Sequence, residues 1–278
     1  MSDRHRKRIA DYEFVSEGEE GANGTFFLAP PPARLGLDVE LVAVKVISGL
    51  TQDDSIRRGA RELRAFAAVD SDLLVRLHDA GQDGSALFYS MEYLPLGSLA
   101  RGARPLRRTE VLTAVRDAAL AADALHEAGL AHHDIEPRTV LLHEHGAKLA
   151  DLGLAQTLSS GHASSTGIPA LEGIEYLDPA MLGGASASRS TDIWSLGATL
   201  HRALAGVGFY GVLALQRPLL AVRKVLSSTP EISVDLSPAE RAVVERAIAA
   251  DLQARYATAR EMADDIDELI ELQQVSPG

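Results

Sequence analysis

Apolar and polar positions change rhythm near residue 94. Before it, short apolar runs of strand length are separated by turn residues. Tyr12 to Ser16 reads as a short strand, followed by a Gly- and Glu-rich turn at Glu17 to Gly24 and a returning strand at Thr25 to Ala29. Pro30, Pro31 and Pro32 then stop it. The β-branched stretch Val39 to Ile47 predicts a stronger strand. A helix is predicted over Asp53 to Ala68, with Ile56, Leu63 and Phe66 on its apolar side. Beyond Leu94 the period lengthens: Val111, Leu112, Val115, Ala118, Ala119, Ala122 and Leu125 recur at helical spacing. Val140 to Leu149 looks like a hairpin, and Asp192 to Ala205 like a buried helix. Two capping boxes, Ser237 with Glu240 and Thr258 with Glu261, open the last helices. The pattern implies an α+β protein of two lobes, a β-rich one over 11–93 and a helical one over 94–270. A flexible basic tail is expected at 1–10 and a second tail at 271–278.

Composition narrows the class. Apolar residues make up 46% of the 278, ample for a sizeable core. A net charge of -12 argues against nucleic acid as the main partner, though a nucleotide site needs only local positive charge. With no cysteine, disulfides and Cys-ligated zinc are excluded. No apolar run reaches the ~20 residues of a bilayer span, and the start lacks the apolar stretch of a signal peptide. The expected location is the cytoplasm.

Four segments carry candidate chemistry. Val42-Ala43-Val44-Lys45 is followed by Glu62 in the middle of the predicted helix. Tyr89-Ser90-Met91-Glu92-Tyr93-Leu94 precedes the helical region. His132-His133-Asp134-Ile135-Glu136-Pro137-Arg138-Thr139 leads into Val140-Leu141-Leu142, and Lys148-Leu149-Ala150-Asp151-Leu152-Gly153 follows. In this order they resemble the bacterial Ser/Thr protein kinases of the Hanks type, over roughly Asp11 to Leu269. The resemblance implies a protein-kinase fold with sites for ATP and Mg2+. Lys45, paired with Glu62, would hold the α- and β-phosphates, and Asp134 would be the catalytic base. Asp151 and Thr139 would ligate the metal. Gly21, Gly24, Phe26, Ala43, Met91, Glu92, Tyr93, Leu94 and Leu141 would surround the nucleotide. It also makes Asp192 a structural acceptor for the amides of the catalytic loop.

Departures from the family cluster where phosphates would sit. Aligned on Gly21 and Gly24, Glu19 stands where the first glycine of the Gly-rich loop belongs, while a shift of one residue would let Gly18 serve with a bulge; Glu17 and Glu20 lie beside it. If these carboxylates face a polyphosphate at roughly 5–8 Å, each pair costs about 2–3 kcal/mol before screening; if they face solvent, the cost largely vanishes. Phe26 replaces the valine that roofs adenine, and either stacks on the base or fills its place. Glu136 replaces the lysine that neutralises the transferring phosphoryl group, and Thr139 replaces a metal-binding asparagine. His133 replaces an arginine that receives an activation-segment phosphate, and Gly173 a threonine that contacts the catalytic loop. Ala180 replaces a glutamate, which leaves Arg255 without its usual partner. Two readings stand: a pseudokinase that serves as a regulatory protein-binding module, and an active Ser/Thr kinase. Thr157, Ser159, Ser160, Ser164, Ser165 and Thr166 are candidate phosphorylation sites, through which a phospho-reading domain would be recruited.

Overall fold

The computed structural model describes residues 7–21, 24–48, 60–61, 63–151 and 171–275. Glu62 and the candidate phosphorylation sites lie outside the described residues. The chain forms two units, described separately. One contains the described residues up to Ala68 together with Val75–Tyr93; the other contains Val69–Leu74 and the described residues from Leu94 onward.

The first unit is built on an antiparallel five-stranded sheet. Its strands are β3 (Glu19–Gly21), β4 (Gly24–Ala29), β5 (Val42–Ile47), β6 (Leu77–Asp83) and β7 (Ala86–Glu92), in the order β3-β4-β5-β7-β6. Alternation puts Val42, Val44 and Val46 on one face, where they pack with Phe27, Ala29, Ala86 and Phe88. That face is covered by a small N-terminal hairpin, β1 (Arg8–Ile9) with β2 (Tyr12–Glu13). Ile9 and Tyr12 are fully buried there, and the Tyr12 hydroxyl bonds Asp79 (2.9 Å) and Ser90 (2.7 Å). Residues 7–10 therefore depart from the expected flexible tail. Two apolar side chains three apart, turned about Ala10 at φ 48°, suffice to dock the segment.

The second unit is mainly helical: α1 (Arg108–Glu127), α2 (Pro179–Leu182), α3 (Arg189–Ala205), α4 (Pro218–Ser227), α5 (Pro238–Ala247) and α6 (Ala259–Val275). The helix α1 packs against α3 and α6. The expected hairpin is present as β10 (Val140–His143) paired with β11 (Gly146–Leu149), Val140 opposite Leu149. Short strands β8 (Gly97–Ser98) and β9 (Arg101–Gly102) extend it. Buried Asp117 on α1 fastens the hairpin turn by accepting the Ala147 amide at 2.9 Å. The Ser237 and Glu240 box is reciprocal. At Thr258 the hydroxyl accepts the Glu261 amide at 3.1 Å, while Glu261 reaches Ala257. The C-terminal tail expected from residue 271 is instead helical to Val275, because α6 continues through it. Among the described residues no helix is long and apolar enough to cross a membrane.

Candidate active site

In the first unit, cross-strand register sets Lys45 between Phe26 on β4 and Tyr89 on β7. The face opposite the valine core therefore carries Phe26, Ala43, Lys45, Tyr89 and Met91. Lys45 is 5% exposed, and its ammonium lies 4.9 Å from the Phe26 ring centre and 5.9 Å from that of Tyr89. Phe26 thus acts as a cation–π neighbour of the lysine. Gly24 has φ 147°, and a Cβ there would sit 2.6 Å from the Val46 carbonyl oxygen, so position 24 has no room for a side chain. Glu17 and Glu19 are exposed, which favours the solvent-facing alternative for these two carboxylates. The Glu92 backbone is partly committed: its N–H donates to Arg76 O at 2.9 Å, and its carboxylate accepts the Arg76 amide at 2.7 Å. Tyr93 is exposed. In the second unit the Leu94 carbonyl accepts from Gly97, and Leu141 is half-buried on β10.

The second unit assembles the acidic loop residues. Asp192, on the first turn of α3 and 1% exposed, accepts three hydrogen bonds. Two come from the loop amides of His132 (2.7 Å) and His133 (3.0 Å), and the third from His126 Nε2 (2.8 Å). The loop-amide role expected for Asp192 is thus present; His126, at the end of α1, joins it. Burial alone would raise the Asp192 carboxyl, but the bonds from His126 and the loop hold it below its ordinary value.

His132 is fully buried and orients two aspartates. Its Nδ1 accepts the Asp134 amide at 3.3 Å, so Nε2 carries the proton and donates to Ala150 O at 2.9 Å. Ala150 immediately precedes Asp151 and donates its own amide to Thr139 O at 2.8 Å. Loop and β11 end are thereby tied together, with Asp134 and Asp151 both half-buried. His133 (φ 74°) and Asp151 (φ 61°) are held in the left-handed region, a strain that clusters at functional sites.

Burial pushes His132 down to about 4, and burial with Arg241 and Arg202 nearby does the same to His201, whose Nε2 accepts the Ser233 amide. In the unfolded chain both titrate near ~6.5. The unfolded chain therefore binds more protons between these values, and the stability carried by the neutral rings is lost as pH falls from about 6.5 towards 4. The urea midpoint is expected to drop across that window, less steeply in His201→Gln. A midpoint that stays level would refute the assignment.

The replaced positions are filled in specific ways. Glu136 is 3% exposed, and its Oε1 accepts from Arg138 Nε at 2.6 Å. The Thr139 hydroxyl accepts the Glu136 amide at 3.1 Å and has the carbonyls of Asp134 and Glu136 each at 3.0 Å. Its proton and one lone pair are committed to the loop backbone, which leaves one lone pair for a metal. Gly173 lies against both acids: a Cβ there would sit 3.1 Å from Glu136 Oε2 and 3.8 Å from Asp134 Oδ1.

Arg255 lacks the glutamate that Ala180 replaces, but it has another partner. Its guanidinium, 5% exposed, bonds Asp178 Oδ2 at 2.8 Å as well as the carbonyls of Ser190 and Ala249. It also lies 5.3 Å over Trp194. Asp178, two residues before Ala180, supplies the missing carboxylate. Motif reading missed Arg138, Asp178 and His126; Arg138 and Asp178 signalled themselves only as charges close to the substituted positions 136 and 180, and His126 gave no such signal.

A model of the protein kinase domain matches residues 32–265. The chain is 31% identical over 251 residues to the serine/threonine-protein kinase PknL of Mycobacterium tuberculosis, covering 85% of this chain and 61% of that protein. It is 29% identical over 233 residues to the probable serine/threonine-protein kinase PknB of Lactococcus lactis, covering 81% and 37%. The chain thus spans less than two thirds of the length of these relatives. A crystal structure of the Mycobacterium tuberculosis PknI kinase domain superposes with a TM-score of 0.69 at 25% identity, covering 94% of this chain and 96% of that one.

Proposed function

The chain belongs to the protein kinase domain family and has its fold, and we propose that it is a pseudokinase within it: a regulatory protein-binding module with weak or no phosphoryl transfer. One observation carries this reading. The side chain at 136 is a buried carboxylate beside Asp134, where the transferring group needs a preorganised cation. The commitment of Thr139 to the loop backbone supports it further.

Each unit carries groups that suit ATP and Mg2+ in part. In the second unit Asp151 offers a half-buried carboxylate for the metal and Thr139 a single lone pair. In the first unit Lys45 offers a buried ammonium suited to phosphate oxygens. Bound magnesium would neutralise phosphate charge. Asp134 would accept the proton of a substrate hydroxyl. The second reading, an active Ser/Thr kinase, is favoured by the mounting of Asp134 through His132 and Asp192. A protein partner, including a phospho-reading domain acting on the 157–166 stretch, belongs to the proposal.

Incubation with labelled ATP, Mg2+ or Mn2+ and a generic basic protein tests it. Labelling no higher than in an Asp134→Asn control is expected, and Glu136→Lys with Thr139→Asn should raise it. Robust labelling abolished by Asp134→Asn would replace the pseudokinase by the active kinase.

A further inference from the structure

We infer that Arg138 is the phosphate-contacting cation of the catalytic loop, held by Glu136 as its positioning residue, with Gly173 providing the room the pair requires. The inference rests on reading the Asp134 loop as a place where nucleotide phosphate is met.

The exposures within the pair are unequal. The Glu136 side chain is 4% exposed and that of Arg138 38%, so the carboxylate is the buried anchor and the guanidinium the outward member. The Nε–Oε1 distance of 2.6 Å is that of a charge-assisted hydrogen bond. Glu136 is itself fixed from behind, its amide bonded to the Thr139 hydroxyl. The anchor therefore has little freedom to release the arginine.

Gly173 explains how a carboxylate fits there. It is absent from the positive-φ glycines, so backbone freedom is not its use; its smallness is. At 3.1 Å from Glu136 Oε2, even a methyl group would press on the carboxylate and through it on Arg138. The same point is 3.8 Å from Asp134 Oδ1, so the acids at 134 and 136 converge on one patch of backbone. A phosphate arriving at Asp134 meets two carboxylates, and the guanidinium bonded to the second offsets that repulsion. A cation borne on one residue in the resembling kinases is here divided between two, with its charge neutralised. That arrangement would admit an anion while stabilising it poorly, in keeping with weak transfer.

Calorimetry with Mg2+ and either ATP or ADP tests the assignment, with urea midpoints measured alongside. Arg138→Ala is expected to weaken ATP about tenfold while changing ADP less than about threefold. Arg138→Lys should recover part of the loss. Glu136→Gln keeps an acceptor for Arg138 but removes the negative charge, and should shift the ATP-to-ADP ratio in the opposite direction. Gly173→Ala should move it the same way as Arg138→Ala, by less. An unchanged ratio in both Arg138→Ala and Glu136→Gln, or a wild type that binds neither nucleotide, overturns the inference. Robust protein labelling by the wild type would sink the pseudokinase reading alone, and an unaltered ratio would sink this one alone.

Discussion

Asp192→Ala is expected to lower the unfolding free energy by about 3–5 kcal/mol, on the scale of breaking a buried, hydrogen-bonded charge. The carboxylate is 1% exposed and receives three donors from two other segments of the same unit. Removing it strands the amides of His132 and His133 and the His126 ring nitrogen at once. Each buried unsatisfied donor costs roughly 1–3 kcal/mol. Asp192→Asn should recover only part, because an amide has one acceptor oxygen and turns an N–H towards other donors. Urea unfolding reads the effect as a lower midpoint at unchanged slope. A loss below about 1 kcal/mol for the alanine variant would show that the loop is fastened elsewhere.

The functional consequence is larger than the stability figure suggests. His132 presents its amide to Asp192 and its ring to Asp134 and Ala150. Losing Asp192 therefore loosens Asp134 and the approach to Asp151 together, although neither touches it directly.

Asp192 was legible because it stands inside a segment, Asp192 to Gly197, whose neighbours all match one pattern. The β-branched run Val39 to Ile47 likewise announced β5 (Val42–Ile47), and Ser237 with Glu240 announced a helix start. What could not be read was reach. Motif matching says which residue occupies a position, not which side chain arrives there in space. Ala180 removed a carboxylate from the pattern, yet Asp178 delivers one from two residues away while also capping α2 through Ala180 N at 2.9 Å. Ile9 and Tyr12 sat beside a run of basic residues, and the charge obscured the apolar pair that docks them. Thr139 looked like an available hydroxyl because sequence carries no count of the carbonyls around it. Arg138 was passed over because its importance comes from Glu136, which turns to it.

The pairing of Asp178 with Arg255 yields the second large effect. Either Asp178→Ala or Arg255→Ala is expected to cost about 3–5 kcal/mol, since each leaves an uncompensated charge in a buried place. The guanidinium would keep the carbonyls of Ser190 and Ala249 without Asp178, but carbonyl dipoles do not neutralise its charge. Because the two residues share one interaction, the double variant should be less destabilised than the sum of the singles, with a coupling of roughly 2–3 kcal/mol. Asp178→Asn separates the two tasks of the residue. Asparagine caps a helix about as well as aspartate, so the cap on α2 survives while the charge is lost. If the ion pair is what matters, Asp178→Asn should behave much like Asp178→Ala. If the cap is what matters, Asp178→Asn should be close to wild type and the coupling to Arg255 should vanish, and Arg255 would then be held by its carbonyls and by Trp194.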